Sequence, residues 1–198
     1  MLRMRSREKE ERTLSDLELI RRCSEGEPLA QELLYRRYFS FAISVCVRYT
    51  RDQYEAMEIV NDSYMKVLGS IGEFDGSKPF RSWYGRILVN SAIDNYRRNV
   101  KHTSHLQISD LEATEDQEPT VSDELSANEI LSLFSRLPDN YRVTFNLYEI
   151  EGYSHEEIGQ MLDISTSTSR SNLSRAKKML RELYKRNINP EKRSNEAV

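Results

Sequence analysis

The stretch Ser165–Lys178 reads STSTSRSNLSRAKK, five serines, two threonines and an asparagine interspersed with and followed by cations. Ser, Thr and Asn compete with a helical backbone for its hydrogen bonds, so a sequence chosen only to fold would place Ala, Leu, Glu or Lys there. Short hydroxyl side chains let a helix approach a sugar–phosphate backbone closely and bond phosphates or base edges. Arginine reads guanine through two parallel bonds, and lysine meets phosphate. A second set with chemical potential is FDGSKPFRSWYGRILVNSAIDNYRR, where Phe80, Trp83 and Tyr84 are mixed with Arg81, Arg86, Asn90, Asn95, Arg97 and Arg98. Rings that stack on bases beside cations that follow phosphates are what a single-stranded nucleic-acid surface needs. Composition alone favours the plainer reading, core rings and a solvated arginine face. Catalytic and metal chemistry find little support. His102 and His105 are spaced i,i+3, His155 is remote, and no Cys or carboxylate set completes a metal site, so all three histidines read as solvated or structural.

The elements that must position these residues are helical. A chain of 198 residues with 38% hydrophobic and 31% charged content, 7 Gly and 5 Pro suits one domain or two small ones of helix-rich type, and argues against an all-β fold. The net charge of −3 is unevenly spread. Asp110–Glu129 holds eight acidic residues and no Lys or Arg, whereas Arg170–Arg193 holds nine basic residues against Glu182 and Glu191, a net of +7. The acidic stretch lacks aromatics and carries Pro119, so residues 100–126 read as a flexible acidic linker between two all-α domains, 13–99 and 127–187. The tails 1–12 and 187–198 carry no assigned role. Cys23 and Cys46 sit in apolar helical patterns, and no uncharged run is long enough to cross a membrane. A reduced, cytoplasmic location without membrane insertion is expected.

In the first domain Ser15 and Glu18 form a capping box, Pro28 starts a helix, and a third helix runs from about Tyr54 to Ser70. That third helix turns Ala56, Ile59, Val60, Ser63, Tyr64, Val67 and Leu68 inward and leaves Glu55, Glu58, Asn61, Asp62 and Lys66 outside. Pro79 opens the fourth. In the second domain two amphipathic helices are divided by Pro138, and Ser154 with Glu157 makes a capping box opening SHEEIGQML. Asp163 tolerates the left-handed conformation that a tight reversal into Ile164 requires. Two short helices joined this way make a helix-turn-helix whose second helix enters the major groove N-terminus first. An ordinary helical hairpin with a basic outer face is the plainer alternative, and it gives no reason for the hydroxyls.

Along most of its length, roughly residues 15–186, the chain resembles the bacterial sigma-70 superfamily in its extracytoplasmic-function (ECF) group. The resemblance rests on EAMEIVNDSYMKVL, FDGSKPFRSWYGRILVNSAIDNYRR, RLPDNYRVTFNLYEIEGYSHEEIGQML and ISTSTSRSNLSRAKKMLREL, in the family's order and spacing. It implies a sigma-2-like domain (13–99) that binds core RNA polymerase and recognises and melts the −10 element, and a sigma-4-like domain (127–187) that reads the −35 element. It implies no catalytic residues and no cofactor, and names core RNA polymerase, promoter DNA and a possible anti-sigma factor as partners. The polymerase-binding positions it implies are Glu58, Asn61, Asp62 and Lys66. The −10 strand positions are the loop Phe74, Asp75, Gly76, Ser77 and Lys78, which captures a flipped base, together with Trp83, Arg86, Asn90, Arg97 and Arg98. The −35 positions are Thr168, Arg170, Ser171, Ser174, Arg175 and Lys178. The family commonly has Gly at Asp163 and Ser167, Val at Ser169 and Arg at Asn172; the change at Asp163 is conformationally mild, and those at Ser169 and Asn172 bear on how the last helix packs and which −35 bases it prefers. A free-standing regulator would need only the helix-turn-helix, and a scaffold would explain the helices but not the segregation of charge.

Overall fold

Serine hydroxyls, one proline and apolar spacing start the first helices. The computed structural model describes residues 14–105 and 127–188, and every regular element among them is helical. The acidic stretch 106–126 and most of both tails lie outside the described residues. In chain order the elements are α1 (Asp16–Ser24), α2 (Pro28–Cys46), α3 (Gln53–Ser70), a 3₁₀ turn (Ile71–Glu73), α4 (Phe80–His105), α5 (Ala127–Ser135), α6 (Asp139–Phe145), a π-helical turn (Asn146–Ile150), α7 (His155–Leu162) and α8 (Thr166–Ile188).

Ser15 caps α1, its Oγ accepting from the Glu18 amide at 3.2 Å. The reciprocal half of the expected capping box is not made. The Glu18 carboxylate instead takes Arg21 at 3.0 Å and Arg22 at 2.8 Å, and those two guanidinium groups pull its pKa down to about 2. A bidentate arginine partner outcompetes one backbone amide for a carboxylate in the first turn. Helix α4 continues to His105, past the expected domain end at 99, because Asn99–His105 contains neither Pro nor Gly to stop it.

The described residues form two compact units: 14–46 with 54–92, and 47–53 with 93–105 and 127–188. The core of the first gathers Leu19, Leu34, Ala42, Ala56, Val60, Val67, Tyr84 and Leu88, all essentially without solvent contact. Each large apolar side chain buried this way contributes about 1.5–3 kcal/mol. Cys23 and Cys46 are buried free thiols in this core, and burial, seconded by Glu27, raises Cys23 to about 11, so it stays protonated and unreactive at neutral pH.

In the second unit α6, α7 and α5 pack on α8 around Leu133, Leu137, Val143, Leu147, Ile158, Leu173 and Ala176. Its polar centre is Arg142, 1% exposed. Its Nη1 donates to the carbonyls of Ser135 and Leu137, both at 3.2 Å, which closes the C-terminal end of α5, and its Nη2 pairs with Asp139. Its Nε donates to the Tyr49 carbonyl at 3.3 Å, and Asn146 Nδ2 reaches the Arg48 carbonyl at 2.6 Å, so Val47–Gln53 is built into this unit by its backbone. Arg51 completes the attachment with two bonds to Asp139, at 2.9 and 3.2 Å.

Removing a buried charge that satisfies several carbonyls leaves those acceptors dry. Arg142→Met, which keeps the length of the side chain, is expected to cost the second unit about 3 kcal/mol. Urea unfolding followed by far-ultraviolet circular dichroism checks this; an unchanged midpoint would show that the carbonyls find other partners.

Candidate nucleic-acid interface

The tightest feature of the second unit is the turn between α7 and α8. Ser154 and Glu157 make a complete capping box, with the Ser154 amide donating to Glu157 Oε2 at 2.8 Å and the Glu157 amide to Ser154 Oγ at 3.2 Å. Those bonds hold the Glu157 pKa below its ordinary value. Asp163 ends α7 in the left-handed region, φ 55°, ψ 48°, and both it and Ile164 donate their amides to the Gly159 carbonyl. Gly159 is required by space rather than by torsion: a Cβ there would lie 2.9 Å from the Ile164 carbonyl oxygen. α7, this turn and α8 are a helix-turn-helix.

The hydroxyls of α8 divide between two tasks. Ser165 caps the helix, its Oγ accepting the Thr168 amide at 3.0 Å and contacting the Ser167 and Thr168 hydroxyls at 2.8 and 2.7 Å. Ser169 faces inward and meets His155 Nδ1 at 2.9 Å. Asn172 also lies on the inner face beside Leu173 and Ala176, so two of the four departures from the family pattern, Ser169 and Asn172, belong to packing. Thr168, Arg170, Ser171, Ser174, Arg175 and Lys178 are all exposed, at spacings that place them on the outer surface of one helix. Arg170 pairs with Glu156 at 3.4 Å, Arg175 reaches the Tyr141 hydroxyl at 3.4 Å, and Lys177 pairs with Glu149 at 2.6 Å.

In the first unit α3 turns Ala56, Ile59, Val60, Ser63, Tyr64 and Val67 inward, as its spacing predicts, and exposes Glu58, Asn61, Asp62 and Lys66. Asn61 accepts from the Tyr35 hydroxyl at 3.0 Å, and Lys66 donates to Ser91 Oγ at 3.1 Å. The same helix exposes Tyr54 (88%) and Met65 (68%), which sequence reasoning missed. Tyr54, Glu58, Asn61 and Met65 follow a four–three–four spacing, so an apolar residue recurring on the polar face was the available signal.

The loop before α4 is pre-formed. Asp75 Oδ1 accepts from both the amide and the hydroxyl of Ser77 at 2.8 Å, which lowers the Asp75 pKa, and Gly76 adopts φ 69°. Phe80 is core, as the plainer reading has it. Trp83 is half-buried, its ring 5.4 Å from Phe74 and 5.5 Å from Phe80, and Arg81 covers Phe41 at 4.3 Å. Arg86 and Asn90 are exposed three and seven residues beyond Trp83, on the same helical face. Arg97 and Arg98 are exposed in the part of α4 that belongs to the second unit, where Arg97 approaches the Gln160 carbonyl at 3.4 Å. Among the described residues no group of three or more His, Cys, Asp or Glu could hold a metal ion, and no helix is long and apolar enough to cross a membrane.

One chain thus carries a helix-turn-helix with a hydroxyl-and-arginine outer face and an aromatic and arginine-bearing helical unit. Residues 34–102 match the family model for Sigma-70 region 2, and residues 127–180 the one for Sigma-70, region 4. The chain belongs to the sigma-70 superfamily, in its ECF group. It is 29% identical over 184 residues to the ECF RNA polymerase sigma-E factor of Haemophilus influenzae, covering 84% of this chain and 94% of that protein. It is 29% identical over 164 residues to the ECF RNA polymerase sigma factor SigM of Bacillus subtilis, covering 80% and 97%. Among solved structures, the sigma factor RpoE in complex with the anti-sigma factor NepR from Bartonella quintana superposes with a TM-score of 0.49 at 20% identity, covering 80% of this chain and 98% of that one.

The turn makes a paired prediction. Gly159→Ala forces a methyl group against backbone, a strain of about 1–3 kcal/mol that outweighs the gain in helix propensity of about 1 kcal/mol. Gly69→Ala in α3 meets nothing within 4 Å and keeps only the gain. Thermal unfolding is expected to move down for the first and up for the second; equal shifts would show that the backbone at Ile164 yields freely.

Proposed function

We propose that the protein is a sigma factor that binds core RNA polymerase and directs promoter-specific initiation, reading the −35 element with α8 and capturing the melted −10 strand with the loop 74–78 and α4. On this reading residues 13–99 are the sigma-2-like domain, 100–126 an acidic tether and 127–187 the sigma-4-like domain. The observation that carries it is the presence of two different nucleic-acid-type surfaces on one family member: a helix-turn-helix whose exposed face is Thr168, Arg170, Ser171, Ser174, Arg175 and Lys178, and a half-buried Trp83 flanked by Phe74, Arg86 and Asn90. The first suits duplex, because a helix presenting short hydroxyls and arginines fits the major groove. The second suits an unpaired strand, because a ring edge can stack only on a base that has left its partner. The exposed face of α3, with Glu58, Asn61, Asp62 and Lys66 and now Tyr54 and Met65, is the surface for core polymerase. Chemistry on nucleotides belongs to the polymerase, so the protein itself needs neither catalytic residue nor cofactor, and it works in the cytoplasm. An anti-sigma factor is a further partner that family membership brings.

Flipping and unstacking bases costs a few kcal/mol, about what several stacking contacts return, so a small domain cannot melt duplex by itself. The isolated protein is therefore expected to bind core polymerase tightly and promoter duplex weakly at physiological salt; tight, sequence-specific duplex binding by the free protein would point to a free-standing regulator. Asn61→Ala with Asp62→Ala is expected to weaken polymerase binding at a stability change of about 1 kcal/mol or less, since both side chains are at the surface and the Tyr35–Asn61 bond is exposed. A folded double mutant with parental polymerase affinity would take α3 out of the interface.

Arg175 and Lys178 test the −35 assignment. Arg175→Ala is expected to reduce discrimination at one or two adjacent −35 positions by about 1–3 kcal/mol, whereas Lys178→Ala lowers affinity for all sequences and flattens the salt slope by about one. A promoter library read with each mutant holoenzyme distinguishes them; uniform losses from both would remove Arg175 as a base reader.

A further inference from the structure

Ser169 is the anomaly on the inner face of α8. It is 0% exposed, and its neighbours on that face include Leu173 and Ala176, so for packing alone alanine would serve better in a helix and bury no polar group. Its hydroxyl instead meets a partner on the other helix of the helix-turn-helix, His155 Nδ1 at 2.9 Å. His155 is the first residue of α7, and its ring is fixed from the far side by a near-parallel stack on Tyr148, 4.4 Å between centroids and 21° between planes. Tyr148 sits in the π-helical turn, and the residue after it, Glu149, holds Lys177 of α8 at 2.6 Å. α8 is thus tied twice to one rigid corner, at Ser169 through His155 and Tyr148 and eight residues on at Lys177 through Glu149.

We propose that His155 and Ser169 are a positioning pair that sets the angle of α8 against α7, and through it where Arg170 and Arg175 stand relative to base edges, without either residue touching DNA. The proposal rests on α8 being the −35 reader. The geometry explains why the tie is placed here. Ser169 and Arg170 are adjacent, as are His155 and Glu156, so the part-buried contact fixes the register in which exposed Arg170 stands over Glu156 at 3.4 Å. Arg175 lies six residues beyond Ser169, about 9 Å along the helix axis, so a swing of about 10° at the tie displaces it by roughly 1.5 Å. That exceeds the tolerance of a bidentate arginine–guanine contact, whose useful distances span only about half an ångström. A part-buried contact between two helices suits the purpose, since it lies out of reach of the phosphates that compete for exposed ion pairs on this face.

The test uses holoenzyme assembled from core polymerase and the full chain, on a promoter selected from a library randomised at −35 and −10, with a scrambled −35 and a −10-only fork as comparisons. Ser169→Ala removes the hydroxyl without adding volume and favours helix, so the variant folds. His155→Phe keeps the stack on Tyr148 and removes the nitrogen, and His155→Asn places an amide near Nδ1. Ser169→Ala and His155→Phe are each expected to reduce the ratio of binding to correct over scrambled −35 by about three- to tenfold, the scale of one hydrogen bond. The double mutant should lose no more than either single one, His155→Asn should recover most of the ratio, and binding to the −10-only fork should stay parental. A parental ratio in folded Ser169→Ala, or losses that multiply in the double mutant, would overturn the positioning pair alone. A parent holoenzyme indifferent to scrambling the −35 element would overturn the −35 reading and the pair together.

Discussion

What α8 can present on its outer face depends on how closely two backbone segments approach at the turn before it. The Ile164 carbonyl lies where a Cβ of residue 159 would be, at 2.9 Å, and only glycine permits that approach. The same glycine's carbonyl collects the amides of Asp163 and Ile164, which lets the chain reverse within three residues while leaving neither donor dry. Reversal in that space requires a left-handed residue, and Asp163 fills the position at φ 55° with less steric cost than a β-branched side chain would incur. Once the turn is closed, the 3.6-residue period decides which side chains of α8 look inward and which look out. The outer set is the one that carries cations and exposed hydroxyls.

Around that turn the energetics separate cleanly into buried and exposed electrostatics. Arg142 and Asn146 are buried and bonded to carbonyls, so each is part of the fold and neither is available to a partner. Arg170 on the outer face is held by a surface pair with Glu156, both side chains more than half exposed. Pairs of that kind contribute about 0–1 kcal/mol, so phosphate can replace the carboxylate at little cost. The aromatic cluster of the first unit has the same division: Phe80 and Tyr84 are core, while Trp83 is packed on Phe74 and Phe80 with part of its ring open.

The sequence pattern was most informative where a period or a cap is strong. The inward face of α3, the complete box at Ser154 and Glu157, the left-handed Asp163 and the exposed set on α8 were all legible, because each depends on residues within one or two turns of one another. Three features were not. Glu18 chose arginines three and four residues on over the capping amide, a competition that spacing alone cannot decide. Arg142 sits in an apolar-periodic run, where nothing local says that a charge will be buried against carbonyls of another helix and of Tyr49. The division of the hydroxyls also needed three dimensions: Ser169 belongs to the core only because His155 lies across from it. Tyr54 and Met65 were within reach, since apolar residues on an otherwise polar face at helical spacing are visible in the sequence.

The central claim is that one chain holds a duplex reader and a strand trap that act only together with polymerase. Permanganate reactivity of −10 thymines tests it most directly, on a promoter selected by the holoenzyme, with the protein alone, core polymerase alone and both combined. The account predicts reactive −10 thymines only in the combined sample, with reactivity lost when Trp83 is replaced by alanine and reduced when the −35 element is scrambled. Thymines that stay unreactive with both components present, while the free protein protects the −35 duplex on its own, would contradict it.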